Sequence, residues 1–230
     1  HFNGMWAFCI YDKAEKIFFL SRDRFGIKPL YYFWNGKDFI FASEIKAIRA
    51  TGYNFESDRE ALNFFFFQKY VGNNKTIFQH IFKLRPSENL FFYLTDNRFE
   101  IQTYYDLIDH IKSAALIPTV KRIEEISPLI EDAVQKRLVS DVPVGSFLSG
   151  GVDSSLISAI IARKKKDFDT FSIGFRQKSY SELDYSILVS QYIRTNHHYE
   201  IMEIDDSTIE SVFKQLDEPF GDASVLPTFL

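Results

Sequence analysis

Residues 149–155 read Ser-Gly-Gly-Val-Asp-Ser-Ser, set between an apolar run, Val144 to Leu148, and a stretch with helical apolar spacing, Ser154 to Arg163. A buried strand that opens directly into a helix is the unit from which α/β sheets are built. At such a junction the backbone amides and the positive helix end converge on one spot that stabilises an anion. Gly150 and Gly151 permit close approach and positive φ. Ser149, Ser154 and Ser155 add hydroxyl donors, and Asp153 can hold a divalent cation against phosphate oxygens. An ordinary strand-to-helix turn uses the same residue types. All seven in this order, between these flanks, favour a phosphate site. No Gly-Lys-Ser or Gly-Lys-Thr occurs, which argues against γ-phosphate transfer by a Walker-type loop.

Around this loop, beyond about residue 120, helical periods alternate with single short strands. Ile123, Ile126, Ile130, Ala133, Val134 and Leu138 recur at helical spacing. Strands are expected at Val144 to Leu148, Thr170 to Phe175 and His198 to Ile204, and helices at Ser154 to Arg163, Ser181 to Thr195 and Ser207 to Leu216. Right-handed crossovers wind this order into an open parallel sheet. The first hundred residues read differently. Met5 to Tyr11 and Lys16 to Ser21 flank a polar turn, and Leu30 to Trp34 and Phe39 to Ala42 flank Asn35-Gly36, a strong hairpin signal. Ser43 is expected to cap a helix through Ile48, and Asp58 another with apolar positions at Ala61, Leu62, Phe65 and Phe66. Leu90 to Leu94 reads as a late strand. Leu107 to Val120, with Pro118 and a weak pattern, is expected to be the linker.

Composition narrows the function classes. A formal charge of −4 over 230 residues, with no basic run, disfavours nucleic acid as a partner. The richest apolar run, Leu62 to Phe67, is broken by Asn63 and far too short for a membrane span. One cysteine, Cys9, cannot form an internal disulfide and fits a reducing cytoplasm. The chain opens on His1-Phe2-Asn3 and stops in an apolar stretch, so both ends read as cut.

Ser149 to Ser155 resembles the PP-loop of ATP pyrophosphatases. Arg137-Leu138, Ser140-Asp141-Val142-Pro143-Val144-Gly145 and Phe171-Ser172-Ile173-Gly174-Phe175 are similar to the synthetase domain of glutamine-hydrolysing asparagine synthetases. The block from Arg22 to Tyr32 and Phe41-Ala42-Ser43-Glu44-Ile45-Lys46-Ala47 resemble the closing part of that family's glutaminase domain.

The resemblance implies an α+β portion over 1–107, Ntn-type antiparallel sheets with helices, then a linker at 108–120. An α/β portion over 121–230 would follow, a PP-loop parallel sheet of the adenine nucleotide alpha hydrolase-like kind, both portions incomplete. It implies ATP and Mg2+, with amide formation through an acyl-adenylate, release of AMP and pyrophosphate, and ammonia drawn from glutamine. Backbone around Leu148 and Ile173 would contact adenine, Ser149, Gly150, Gly151, Ser154 and Ser155 would hold pyrophosphate, and Asp153 would share magnesium with it. The implied partners are ATP, glutamine and a carboxylate acceptor such as aspartate, with the acceptor and a homodimeric assembly left open. The family's cysteine nucleophile would lie upstream of His1 and its second glycine-rich acidic motif beyond Leu230, so these residues alone are expected to be inactive. The rival readings are another PP-loop ligase and a noncatalytic nucleotide-binding module.

Other features carry weaker signals. Cys9 sits inside an expected strand and reads as a small buried residue, since the glutaminase role needs a free amino terminus. His197 and His198 point to opposite faces of a strand and cannot share one metal; structural or nucleotide-edge roles are expected. Asp217-Glu218-Pro219-Phe220-Gly221-Asp222-Ala223-Ser224 reads either as a solvated loop or as the family's substrate-side loop, with Glu218, Asp222 and Ser224 as candidates. Arg22, Asp23, Arg24 and Lys28 are expected to form hairpin-end ion pairs.

Overall fold

The computed structural model describes residues 2–114, 119–177, 181–203, 205–222 and 224–229, and side chains outside 113–123. The chain divides into two compact units, one of His1–Ala114 with Phe213–Val225, the other of Ala115–Val212 with Leu226–Leu230.

In the first unit, β1 (Ala7–Asp12) and β2 (Ile17–Arg22) join through a turn held by the Asp12 carboxylate, which accepts from the N–H groups of Ala14 and Glu15 at 2.8 and 3.1 Å. β3 (Tyr31–Trp34) and β4 (Phe39–Ala42) turn at Asn35-Gly36, where Gly36 takes φ +90° and the Asn35 side-chain oxygen accepts from Lys37 and Asp38. Then follow α1 (Ile45–Arg49), α2 (Arg59–Gln68), β5 (Ile81–Lys83), β6 (Glu88–Tyr93), β7 (Arg98–Thr103) and α3 (Leu107–Ala114). The strands form two antiparallel sheets, ordered β1-β2-β6-β7 and β4-β3-β5.

Alternation along the strands decides what these sheets bury. In β6, Leu90 and Phe92 point inward with every second residue, and Leu20 lies opposite Leu90 in register. These residues meet Leu30, Tyr32 and Leu84 between the sheets, and Phe39 of one sheet stacks on Phe92 of the other with ring centroids 4.2 Å apart. Burying such a side chain contributes about 1.5–3 kcal/mol each. On the far side of the second sheet, Phe33 and Ile81 pack against Ile45 and Ile48 of α1.

Several expectations need correcting here. Ser43 does not cap α1; Glu44 holds that position without a side-chain capping bond, and the Asp217 carboxylate accepts from Ile45 N–H at 2.6 Å and Lys46 N–H at 3.2 Å. Asp58 does cap α2, but of its expected apolar face Phe66 is exposed and only Ala61 is fully buried. β5 and β7 escape the sequence pattern, one being three residues long and the other carrying Arg98 and Glu100 on an edge. α3 occupies Leu107–Ala114 and α4 begins at Thr119, inside the stretch read as a linker, whose residues 115–118 lie outside the described residues.

The expected ion pairs among Arg22, Asp23, Arg24 and Lys28 are absent. Asp23, 1% exposed, instead accepts from the N–H groups of Trp6, Phe25, Ile27 and Lys28. Burial alone would raise its pKa, but these bonds to the charged form outweigh it and hold the carboxyl below its ordinary value. The Arg22 guanidinium donates to the carbonyls of Gly26, Lys28 and Leu84, and Arg24 to that of Phe2. The segment after β2 turns peptide groups inward without a strand partner, so charged side chains satisfy them.

The second unit contains α4 (Thr119–Lys136), β8 (Ser146–Phe147), α5 (Val152–Lys164), β9 (Asp169–Phe175), α6 (Leu183–Ile193) and β10 (Asn196–Met202), with most of α7 (Asp206–Gln215) and of α8 (Val225–Phe229). The sheet is parallel in the order β10-β9-β8, as the alternation of helix and strand predicts. Val134 of α4, Ile160 and Ile161 of α5 and Phe168 form its core, with Ile130 and Leu138 packed alongside. Ile126, expected on that buried stripe, is exposed. The first strand is shorter than Val144 to Leu148: only Ser146 and Phe147 pair with β9, and the Val144 carbonyl accepts from Lys165 Nζ at 3.5 Å. α6 stops at Ile193, where Arg194 takes a left-handed φ of 58°, and Ile204, the expected end of the last strand, lies outside the described residues. Among the described residues no helix is long and apolar enough to cross a membrane.

Candidate functional site

In the second unit, β8 delivers the chain to residues 149–155 and α5 carries it away. Leu148, 1% exposed, is pinned to β9 by its N–H on the Phe171 carbonyl at 2.8 Å and by the Ser172 hydroxyl on its own carbonyl. The Ser146 and Ser158 hydroxyls, 2.8 Å apart, tie β8 to α5. Gly150 then takes φ +82°, a conformation costly for any side chain, and a Cβ there would lie 2.5–2.7 Å from Tyr185 and the Ser186 nitrogen. Only glycine fits on both counts.

Past Gly150 the loop is braced by its own hydroxyls. Ser149 Oγ and Ser154 Oγ lie 2.9 Å apart, Ser149 Oγ accepts from Gly151 N–H, and Ser154 Oγ reaches the Gly151 carbonyl. The helix N-cap is Gly151, with no side-chain cap, so the first-turn amides of a thirteen-residue helix end without one. Ser155 Oγ is buried without a hydrogen-bond partner. An unpartnered hydroxyl and uncapped first-turn amides are the types of donor that an oxyanion cradle requires. The Asp153 side chain is exposed and makes no hydrogen bond or ion pair among the described residues. One carboxylate beside an oxyanion cradle fits magnesium, whose remaining positions phosphate oxygens and water usually fill; among the described residues no cluster of three or more His, Cys, Asp and Glu could hold a metal by itself.

The other candidates are placed as follows. Ile173 is half-buried on β9, two residues beyond the Phe171 carbonyl that binds Leu148. Glu218, Asp222 and Ser224 belong to the first unit: Glu218 pairs with Lys83 Nζ at 2.7 Å and accepts from Ile77 N–H, and Asp222 accepts from Ser224 N–H at 2.9 Å. Ala223 of that segment lies outside the described residues. His197 and His198 point to opposite faces of β10. His197 bonds the Thr170 hydroxyl at 2.9 Å, and burial, then the neighbouring His198, pushes its pKa down. His198 contacts Asp169 at 3.0 Å and stacks on Phe171. Cys9 is half-buried against the core of the first unit, which raises its thiol pKa. Sequence reasoning missed Lys83 and Tyr185, which meet their partners only through the fold; no local signal marks them.

Two families match the chain in tandem, the glutamine amidotransferase domain over residues 1–105 and asparagine synthase over 125–230. The two matches follow one another without overlap. A putative glutamine-hydrolysing asparagine synthetase 2 of Methanocaldococcus jannaschii is 41% identical across 99% of this chain and 45% of its own length. Glutamine-hydrolysing asparagine synthetase 1 of Bacillus subtilis is 31% identical across 99% and 36%. Along its whole length the chain resembles the glutamine-hydrolysing asparagine synthetases, and it spans less than half the length of these two curated relatives. An NH3-dependent NAD synthetase from Campylobacter jejuni overlays 46% of this chain and 45% of its own at 23% identity and a TM-score of 0.32, too loose a fit to weigh.

Proposed function

We propose that the chain is part of a ligase that forms an amide from a carboxylate, ATP and ammonia released from glutamine. A carboxylate oxygen of the acceptor attacks the α-phosphorus of ATP, the bond from that phosphorus to the bridging oxygen breaks, and pyrophosphate leaves. Ammonia then adds to the acyl carbon and displaces AMP. In this reading the amides at the start of α5, with the hydroxyls of Ser149, Ser154 and Ser155, hold the oxygens on which charge builds as pyrophosphate departs. Gly150 and Gly151 let those oxygens reach the backbone, and Leu148 and Ile173 border adenine. Asp153 would hold Mg2+, which supplies neutralising charge when bound. Glu218, Asp222 and Ser224 would lie toward an acceptor such as aspartate.

The observation that carries this reading is the uncapped start of α5 with its orphaned Ser155 hydroxyl, in a chain that matches amidotransferase and synthase families in that order. The full-length protein, given ATP, glutamine and candidate carboxylates, should yield AMP and pyrophosphate. Stoichiometric ADP and orthophosphate would sink the assignment.

A further inference from the structure

Residues Asp217 to Gly221 fall within the asparagine-synthase match yet pack inside the first unit, where Asp217, Glu218 and Gly221 each fasten them. Asp217 caps α1 at Ile45 and Lys46, and Lys46 Nζ returns a bond to the Gln215 carbonyl at 2.9 Å. Glu218 takes one bond from Ile77 N–H at 3.1 Å and a salt bridge from Lys83 Nζ at 2.7 Å. Gly221 N–H donates to the Lys69 carbonyl at 3.1 Å, so close that a Cβ would sit 2.4 Å from the Lys69 Cβ.

The Lys83–Glu218 pair differs from a surface ion pair. Its side chains are 19% and 14% exposed, and Lys83 Nζ also donates to the Val71 carbonyl at 3.2 Å, so neither charge is free to swing into water. Lys83 lies in the portion that matches the amidotransferase domain and Glu218 in the portion that matches the synthase.

We propose that Lys83 is a positioning residue that holds Glu218, and with it residues 217–222, so that glutamine hydrolysis and amide formation stay coupled. The coupling part rests on the function proposed above; the positioning part does not. Three variants test it: Lys83→Met, Lys83→Arg, and Lys83→Glu combined with Glu218→Lys. In the full-length protein, Lys83→Met should raise the glutamate released per pyrophosphate about fivefold or more. Lys83→Arg should restore the ratio.

Hydrogen exchange on the 230-residue chain reads the same grip without activity. Lys83→Met should raise exchange at residues 217–222 while the amides shared by β2 and β6 stay protected. If protection is instead lost throughout the unit, the charge-swapped pair decides: recovery of protection at 217–222 supports the proposal, and none overturns it. Unchanged exchange at 217–222 or an unchanged product ratio in Lys83→Met overturns it too. A wild-type protein that releases no pyrophosphate with any carboxylate defeats the adenylation reading, and the exchange result then decides the positioning role alone.

Discussion

The Asp217 carboxylate caps a helix that begins at Ile45, 172 residues earlier, with Oδ2 2.6 Å from the Ile45 nitrogen. The helix supplies no cap of its own, since the Glu44 side chain pairs with Lys46 Nζ and makes no capping bond. Asp217→Ala should therefore destabilise the first unit by about 0.5–2 kcal/mol, the usual worth of an N-cap. Urea unfolding followed by the fluorescence of Trp6 and Trp34 measures it; an unchanged midpoint would remove the cap from the account.

Asp23 is the larger stake, because four backbone N–H groups converge on one buried carboxylate. Asp23→Asn places an amide NH2 against two of those donors and should cost about 2–4 kcal/mol. The four bonds hold the folded-state pKa below the carboxyl's ordinary value, so the linked stability is present above that ordinary value and is lost as pH falls through the lowered folded one. The asparagine variant should lack that share of the acid sensitivity. Parallel acid titrations of the two proteins by circular dichroism give the comparison.

Gly150→Ala should damage the loop proposed to hold phosphate. It imposes φ +82° on a residue with a Cβ and drives that atom into the Tyr185 backbone. A left-handed position of this kind costs on the order of 1–3 kcal/mol before the steric overlap is added. Nucleotide binding, followed by titration with a fluorescent ATP analogue, should be lost while the first unit keeps its unfolding midpoint. Undiminished binding would show that the loop can be rebuilt around a methyl group.

Asp153→Asn separates the half-reactions. Asp153 is an exposed first-turn residue behind the Gly151 N-cap, so loss of its charge costs the helix under about 1 kcal/mol and the fold should be kept. Adenylation in the full-length protein should fall by about 10²–10³, the typical loss for a group that stabilises developing charge. Glutamate release should persist. Near-normal pyrophosphate release would leave Asp153 as a first-turn helix residue and nothing more.

The two regimes of the chain were legible because their signals are local. Asn35-Gly36 sets a hairpin, Asp58 caps its own helix two and three residues on, and Ser149 to Ser155 shapes a strand-to-helix turn from adjacent backbone. Period-two and period-3.6 patterns likewise report on neighbours along one element. What stayed hidden depends on residues far apart in the chain. Nothing near Ser43 announces that Asp217 caps α1, nothing near Lys83 that Glu218 pairs with it, and the charges from Arg22 to Lys28 look like ion pairs until the fold turns carbonyls and amides toward them. A local motif states which groups a segment offers. Which distant groups it receives is decided by packing, because a buried peptide group or carboxylate must find a partner wherever the completed core leaves one.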